Sequence, residues 1–160
     1  MRVPDLFLTY MNHDTPRLVW NQAGAAHLNS IHGVTLKRDR RELGADLLPL
    51  AVLNSATLLG AELVGRSYGG GLLKVEPKEA DRLPMPSPAA LDAAGGALRA
   101  LRPELADHLL RSGRMAEVVR AVDEVLLVHA ANVRPGEVAA LSEARARMAA
   151  RRVARAGKPR

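Results

Sequence analysis

Between Leu47 and Leu63 the sequence reads LLPLAVLNSATLLGAEL, with apolar residues at nearly every position a helix would present. A helix apolar around most of its circumference must be covered on several sides at once, so it belongs at the centre of a fold rather than on its surface. We read Arg41–Val64 as one such helix, with Asp46 as its candidate N-cap and Pro49 tolerable because it would then fall in the first turn. A chain of 160 residues and 17.2 kDa can supply one compact domain with a real core around it, or a small domain with an appendage.

The segments before that helix carry β character. Val3–Met11 is rich in aromatic and apolar residues, Arg17–Asn21 is a second short run after the polar turn NHDTP, and Ala26–Leu36 mixes β-branched and polar residues around Gly33. These predict three antiparallel strands, the third bent or bulged at the glycine. After the helix comes GRSYGGGLLKVEPKEADRLPMPSP. Gly69, Gly70 and Gly71 permit positive φ or close approach of another backbone, LLKVE reads as a strand, Pro77 starts a helical turn, and Pro84, Pro86 and Pro88 hold the exit extended. Beyond Pro88 the composition turns to Ala, Leu, Arg and Glu. Helices are predicted over 89–101, 103–112 running into or beside 115–132, and 135–155, with breaks at RPE, SGR and NVRPGE. The expectation is an α+β chain: a small antiparallel β unit with a buried helix over residues 1–88, then a C-terminal helical bundle with a basic tail over 89–160.

The formal net charge is +6. Glu143–Arg160 holds six arginines and one lysine against one glutamate, so this tail carries the whole surplus and residues 1–142 are neutral. Arg145, Arg147, Arg151, Arg152 and Arg155 fit either a phosphate-tracking helix face or a solvated terminal helix. The absence of cysteine excludes disulfides and thiolate metal sites. The N-terminus lacks the apolar run of a signal peptide, and no segment approaches the roughly 18 apolar residues of a membrane span, so a soluble, cytoplasmic protein without a membrane partner is expected.

Catalytic motifs are hard to find. The glycine run follows a helix and precedes a strand, the reverse of a nucleotide-phosphate loop, and Gly95–Gly96 lies within helical sequence. His27 and His32 have no acidic or cysteine ligand nearby, and no nucleophile elbow surrounds any serine. Asn21, Asn29 and Asn54 are either turn and cap residues or, on a DNA surface, side chains able to pair with adenine.

RLVWNQAGAAHLNSIHGV, followed by LLPLAVLNSATLLGAELVGRSYGGGLLKVEPKEADRLPMPSP, resembles the C-terminal part of bacterial N6-adenine DNA methyltransferases of restriction-modification and phage-defence systems. The likeness runs from about Val3 to Pro88. It implies a region that grips double-stranded DNA and reads the target, while a separate catalytic domain or subunit binds S-adenosylmethionine and holds the flipped adenine. No Asn/Asp-Pro-Pro-aromatic motif and no S-adenosylmethionine loop is present in this sequence, so no cofactor or catalytic residue is assigned to it. On this resemblance the candidate DNA contacts are Arg17, Asn21, Asn29 and His32 on the β unit, with Arg66, Tyr68, Gly69, Gly70, Gly71 and Lys74 around the glycine run. YGGG equally suits a packing element where helix and strand meet. The competing function is a protein-interaction module that docks on a methyltransferase or defence-complex partner without reading DNA.

Overall fold

A computed structural model of the chain describes residues 3–110 and 114–156. Its first strand, β1 (Leu6–Thr9), alternates buried and half-buried side chains. One residue later the same segment continues as β2 (Met11–Asn12), so Tyr10 is the joint at which the chain passes from one sheet to a second. In the first sheet β1 lies between β3 (Leu18–Trp20) and β4 (Ile31–Val34), both antiparallel to it. Only these four residues of the predicted strand 26–36 are regular, and Gly33 is no bulge: it pairs directly with Phe7. A Cβ at Gly33 would lie 2.5 Å from the His27 ring and 3.0 Å from Pro4, so close approach accounts for the glycine.

The long apolar run forms two helices, α1 (Arg41–Ala51) and α2 (Ser55–Val64), bent by 82°. The Asn54 side chain enforces the break. Its Oδ1 accepts the Thr57 amide at 2.9 Å, and its Nδ2 donates to the Ala51 carbonyl at 2.7 Å and Thr57 Oγ1 at 2.9 Å. A carboxylate completes the cap, since Asp123 accepts the Ser55 amide at 2.7 Å and its hydroxyl at 2.6 Å. The predicted cap at Asp46 is therefore corrected: α1 begins five residues earlier, and Asp46 pairs instead with Arg99 at 2.7 Å and Arg102 at 2.8 Å. Pro49 accordingly sits near the end of α1, two residues before the helix stops.

After α2 the chain forms β5 (Arg66–Tyr68), a turn at Gly69–Gly71, and β6 (Leu72–Lys74); β6 is central in the second sheet, between β2 and β5. Pro77 opens the single-turn helix α3 (Pro77–Ala80) as expected, with a capping box between Glu76 and Glu79. The helices that follow are α4 (Pro88–Leu110), α5 (Met115–Val122) and α6 (Pro135–Ala156). α4 runs unbroken through Pro103, where a break was expected, and α5 widens into π-helical turns over Asp123–Ala130. Of the SGR break, Ser112 and Gly113 lie outside the described residues.

The main core is shared by both parts of the chain. Leu6, Leu47 and Leu53 from the first part are fully buried with Leu98, Val118 and Leu126 from the second. Gly95 serves this packing, because a Cβ there would press on Leu47 at 3.3 Å. α6 lies across α2 and the glycine turn. No single helix among the described residues is long and apolar enough to cross a membrane.

Candidate nucleic-acid interface

The hairpin β5–β6 projects from the second sheet. Arg66 pairs with Lys74, Ser67 with Leu73, and Tyr68 with Leu72, which leaves three glycines to close the turn. Gly70 and Gly71 have φ of 75° and 77°, a region that a side chain disfavours. Gly69 is different: its φ is not positive and a Cβ there would meet nothing within 4 Å, so the free fold does not demand glycine at that position. Arg66, Ser67, Tyr68, Gly69 and Gly70 are all exposed, whereas Gly71 is buried under α6.

Lys74 reaches out of β6 between two aromatic rings, its Nζ 5.1 Å from the centre of Tyr10 and 5.4 Å from that of Tyr68. It also pairs with Glu76 at 2.7 Å. The Glu76 hydrogen bond, then that of Tyr10, pushes the Lys74 ammonium well above its ordinary value, and the Lys74 hydrogen bond holds the Glu76 carboxyl below the usual range. Tyr10 donates to Glu76 at 3.2 Å. Beside them His32 stands edge-on to Tyr10 with ring centres 5.1 Å apart, and its Nε2 lies 2.7 Å from the Val75 carbonyl. A carbonyl can only accept, so Nε2 donates, and His32 ties the first sheet to the second. Arg66 donates to Glu79 at 2.5 Å, and the other oxygen of Glu79 caps α3 by accepting the Glu76 amide at 2.8 Å.

The structure thus brings His32, Arg66, Tyr68, Lys74 and the glycine turn together around the second sheet. The other candidates lie on the first. Arg17 is half-buried just before β3, where its backbone pairs with Thr9. Asn21 donates to the carbonyls of Pro4 at 2.9 Å and Ala25 at 3.0 Å and accepts the Ala25 amide at 2.9 Å, so its side chain closes the 21–25 loop. Asn29 is exposed, next to Leu28.

Sequence reasoning missed Tyr10, Glu76 and Glu79, which set the charge of this surface, and the role of Arg152. From α6, Arg152 makes two hydrogen bonds to the Glu62 carboxylate on α2, at 3.0 and 2.8 Å, and a third to the Gly71 carbonyl. Both side chains of this ion pair are almost completely buried. The four-residue pattern Glu76-Pro-Lys-Glu79 was the available signal for the capping box; for Arg152 the signal was weaker, a seven-residue spacing from Arg145, which faces inward to Asp14 at 3.5 Å.

Among the described residues no group of three or more His, Asp and Glu is arranged to hold a metal. A cavity of about 460 Å³ lies between the first sheet, α1, α2 and the proline-rich exit, lined mainly by aliphatic side chains such as Leu18, Leu48 and Leu58. Among the described residues no glycine loop leads from a strand end into a helix.

Residues 1–127 match the family of the type II methyltransferase M.Eco57I C-terminal domain. The chain belongs to this family. The methyltransferase C-terminal domain here is also 38% identical over 84 residues to the type II methyltransferase M.XamI of Xanthomonas campestris pv. amaranthicola. That match covers 51% of this chain and only 15% of the relative. No solved structure matches the methyltransferase C-terminal domain described here. Its helix α6 lies beyond the family match, although Arg152 of α6 anchors the glycine turn.

Proposed function

We propose that this domain is the target-recognition portion of an adenine-N6 DNA methyltransferase of a restriction-modification or phage-defence system in the cytoplasm. It binds double-stranded DNA and performs no methyl transfer alone. A catalytic domain or subunit binds S-adenosylmethionine and receives the adenine. A base inside a duplex is out of reach of a methyl donor, so flipping requires a second surface that holds the duplex by its phosphates and base edges.

One observation carries the reading: within a methyltransferase C-terminal domain, an exposed hairpin presents Arg66, Tyr68 and Lys74 around a glycine turn whose first residue is glycine without a conformational need. Gly69 and Gly70 let a phosphate approach the backbone, Arg66 and Lys74 supply charge, and Tyr68 offers a ring face. Arg17, Asn21, Asn29 and His32 are the proposed groove-side contacts, of which Asn29 is the most accessible.

A second reading has its own support. Arg66 and Lys74 are both engaged by carboxylates, which suits a module that docks on a protein partner without reading DNA. Binding of the chain to random-sequence duplex across a salt series separates the two. Two phosphate contacts contribute about 1.8 to the slope of log affinity against log salt, and Arg66→Ala/Lys74→Ala removes that amount if the hairpin grips DNA. A folded chain that fails to bind at low salt supports docking instead.

A further inference from the structure

The sequence places five arginines on α6, and the structure sorts them. Arg145 and Arg152, seven residues apart, fall on one face of the helix at about 100° per residue. Both turn inward: Arg145 is largely covered and faces Asp14, and Arg152 is buried on Glu62 and Gly71. Arg147, Arg151 and Arg155 recur every four residues, which places them within an arc of about 80° beside that face, beginning about 60° from Arg152. All three are exposed, and no ion pair engages them among the described residues. Among the described residues they are cations that the fold does not use, on a helix anchored by its buried face.

Their position matters as much as their charge. The hydrogen bond from Arg152 to Gly71 fixes the last turns of α6 against the turn of the proposed DNA-binding hairpin, so Arg151 and Arg155 flank that contact within one helical turn. Successive arginines of the stripe are about 6 Å apart along the helix, and long side chains adjust that spacing to a row of phosphates.

We propose that Arg147, Arg151 and Arg155 form a phosphate-binding stripe that extends the hairpin surface along one strand of duplex DNA, with Arg152 as the positioning residue that docks it. The proposal rests on the DNA-binding reading above and adds a contact surface outside the family match. A helix with three guanidinium groups that no described carboxylate pairs complements a polyanion, and a duplex bound at the hairpin is the polyanion nearest to it. The contacts are to the backbone and carry no sequence information themselves.

The test uses the full chain and a short random-sequence duplex, with affinity followed from about 50 to about 200 mM salt. Arg147→Gln/Arg151→Gln/Arg155→Gln keeps good helix formers in α6. With three phosphates lost, the slope falls by about 2.7, and the affinity lost by the wild type over that range exceeds the variant's loss by about 40-fold. Lys37→Gln/Arg38→Gln/Arg120→Gln removes the same charge elsewhere and leaves most of the slope in place. Arg152→Lys, which keeps the charge but not the geometry of three directed hydrogen bonds, lowers affinity while thermal unfolding shows the protein folded. The stripe is refuted if its variant retains the wild-type slope, or if the control variant loses as much. A slope that falls with Arg66→Ala/Lys74→Ala but not with the stripe variant leaves the hairpin reading intact and removes this one. The opposite pattern removes the hairpin and keeps the stripe. Stripe-dependent binding to anionic lipid vesicles without binding to DNA overturns both.

Discussion

Arg152→Ala is the substitution whose cost the structure defines best. The Arg152 side chain is 6% exposed and that of Glu62 5%, so truncation strands a carboxylate where water cannot solvate it. Removing one partner of such a buried pair costs about 3–5 kcal/mol, a large share of a total stability of about 5–15 kcal/mol. The Gly71 carbonyl loses its donor as well, so the upper half of that range applies. With a urea dependence of about 2 kcal/mol per M, the unfolding midpoint moves down by about 2 M. Circular dichroism at 222 nm follows the transition. Glu62→Met/Arg152→Met removes both charges in similar volume and recovers most of the loss, because the penalty lies in the unpaired charge rather than in the missing attraction. A midpoint that falls by less than about 0.5 M in Arg152→Ala refutes the argument, since it would mean that Glu62 reaches water and α6 does not seal this surface.

The glycine turn divides by position. Gly70→Ala, at φ 75°, costs about 1–2 kcal/mol in the same urea experiment, whereas Gly69→Ala leaves stability unchanged or slightly raised and weakens only DNA binding. Equal stability losses for the two would sink the distinction. Burial pushes the Asp123 carboxyl above its ordinary value, so the native state holds that proton to higher pH than the unfolded chain does. Its contribution is complete below the unfolded value and is lost as pH rises through the folded one. Asp123→Asn can keep both Ser55 hydrogen bonds, with its amide nitrogen donating to the hydroxyl, and it gains on the wild type as pH rises from about 3 to about 7; parallel profiles of stability against pH would contradict the assignment.

What could be read from the chain depended on how local its cause was. Gly70 and Pro77 act on their own backbone dihedrals, and the glycine turn and the start of α3 lie where those residues put them, whereas the strand β5 that makes the turn a hairpin was not expected, the glycine run having been read as following a helix. The apolar run correctly announced a buried helical layer, but hydrophobic periodicity says nothing about continuity. Asn54-Ser-Ala-Thr57 carried the break as a cap pattern, and its second acceptor, Asp123, is 68 residues away. The candidate site shows the same division. Gly69–Gly71, Arg66, Tyr68 and Lys74 are neighbours in one hairpin and were found together. Tyr10 meets Glu76 across 66 residues, His32 meets Val75 across 43, and Arg152 meets Gly71 across 81. Only the pairing of two sheets through Tyr10 and the return of α6 onto α2 create those contacts.

That geometry bears on which cations would dominate binding. Lys74 gives up an ion pair and its position between two rings if a phosphate draws it away from Glu76, and Arg66 shares Glu79 with the cap of α3. Each carboxylate therefore offsets part of the attraction that its partner offers to DNA. Among the described residues no carboxylate pairs with Arg147, Arg151 or Arg155. If both surfaces contact one duplex, the helix stripe supplies most of the salt-sensitive affinity, while the hairpin, whose charges are held in place by Glu76 and Glu79, sets where the duplex lies. Loss of the stripe then lowers affinity for all sequences alike, and disturbance of the hairpin alters how the duplex is placed relative to the catalytic partner.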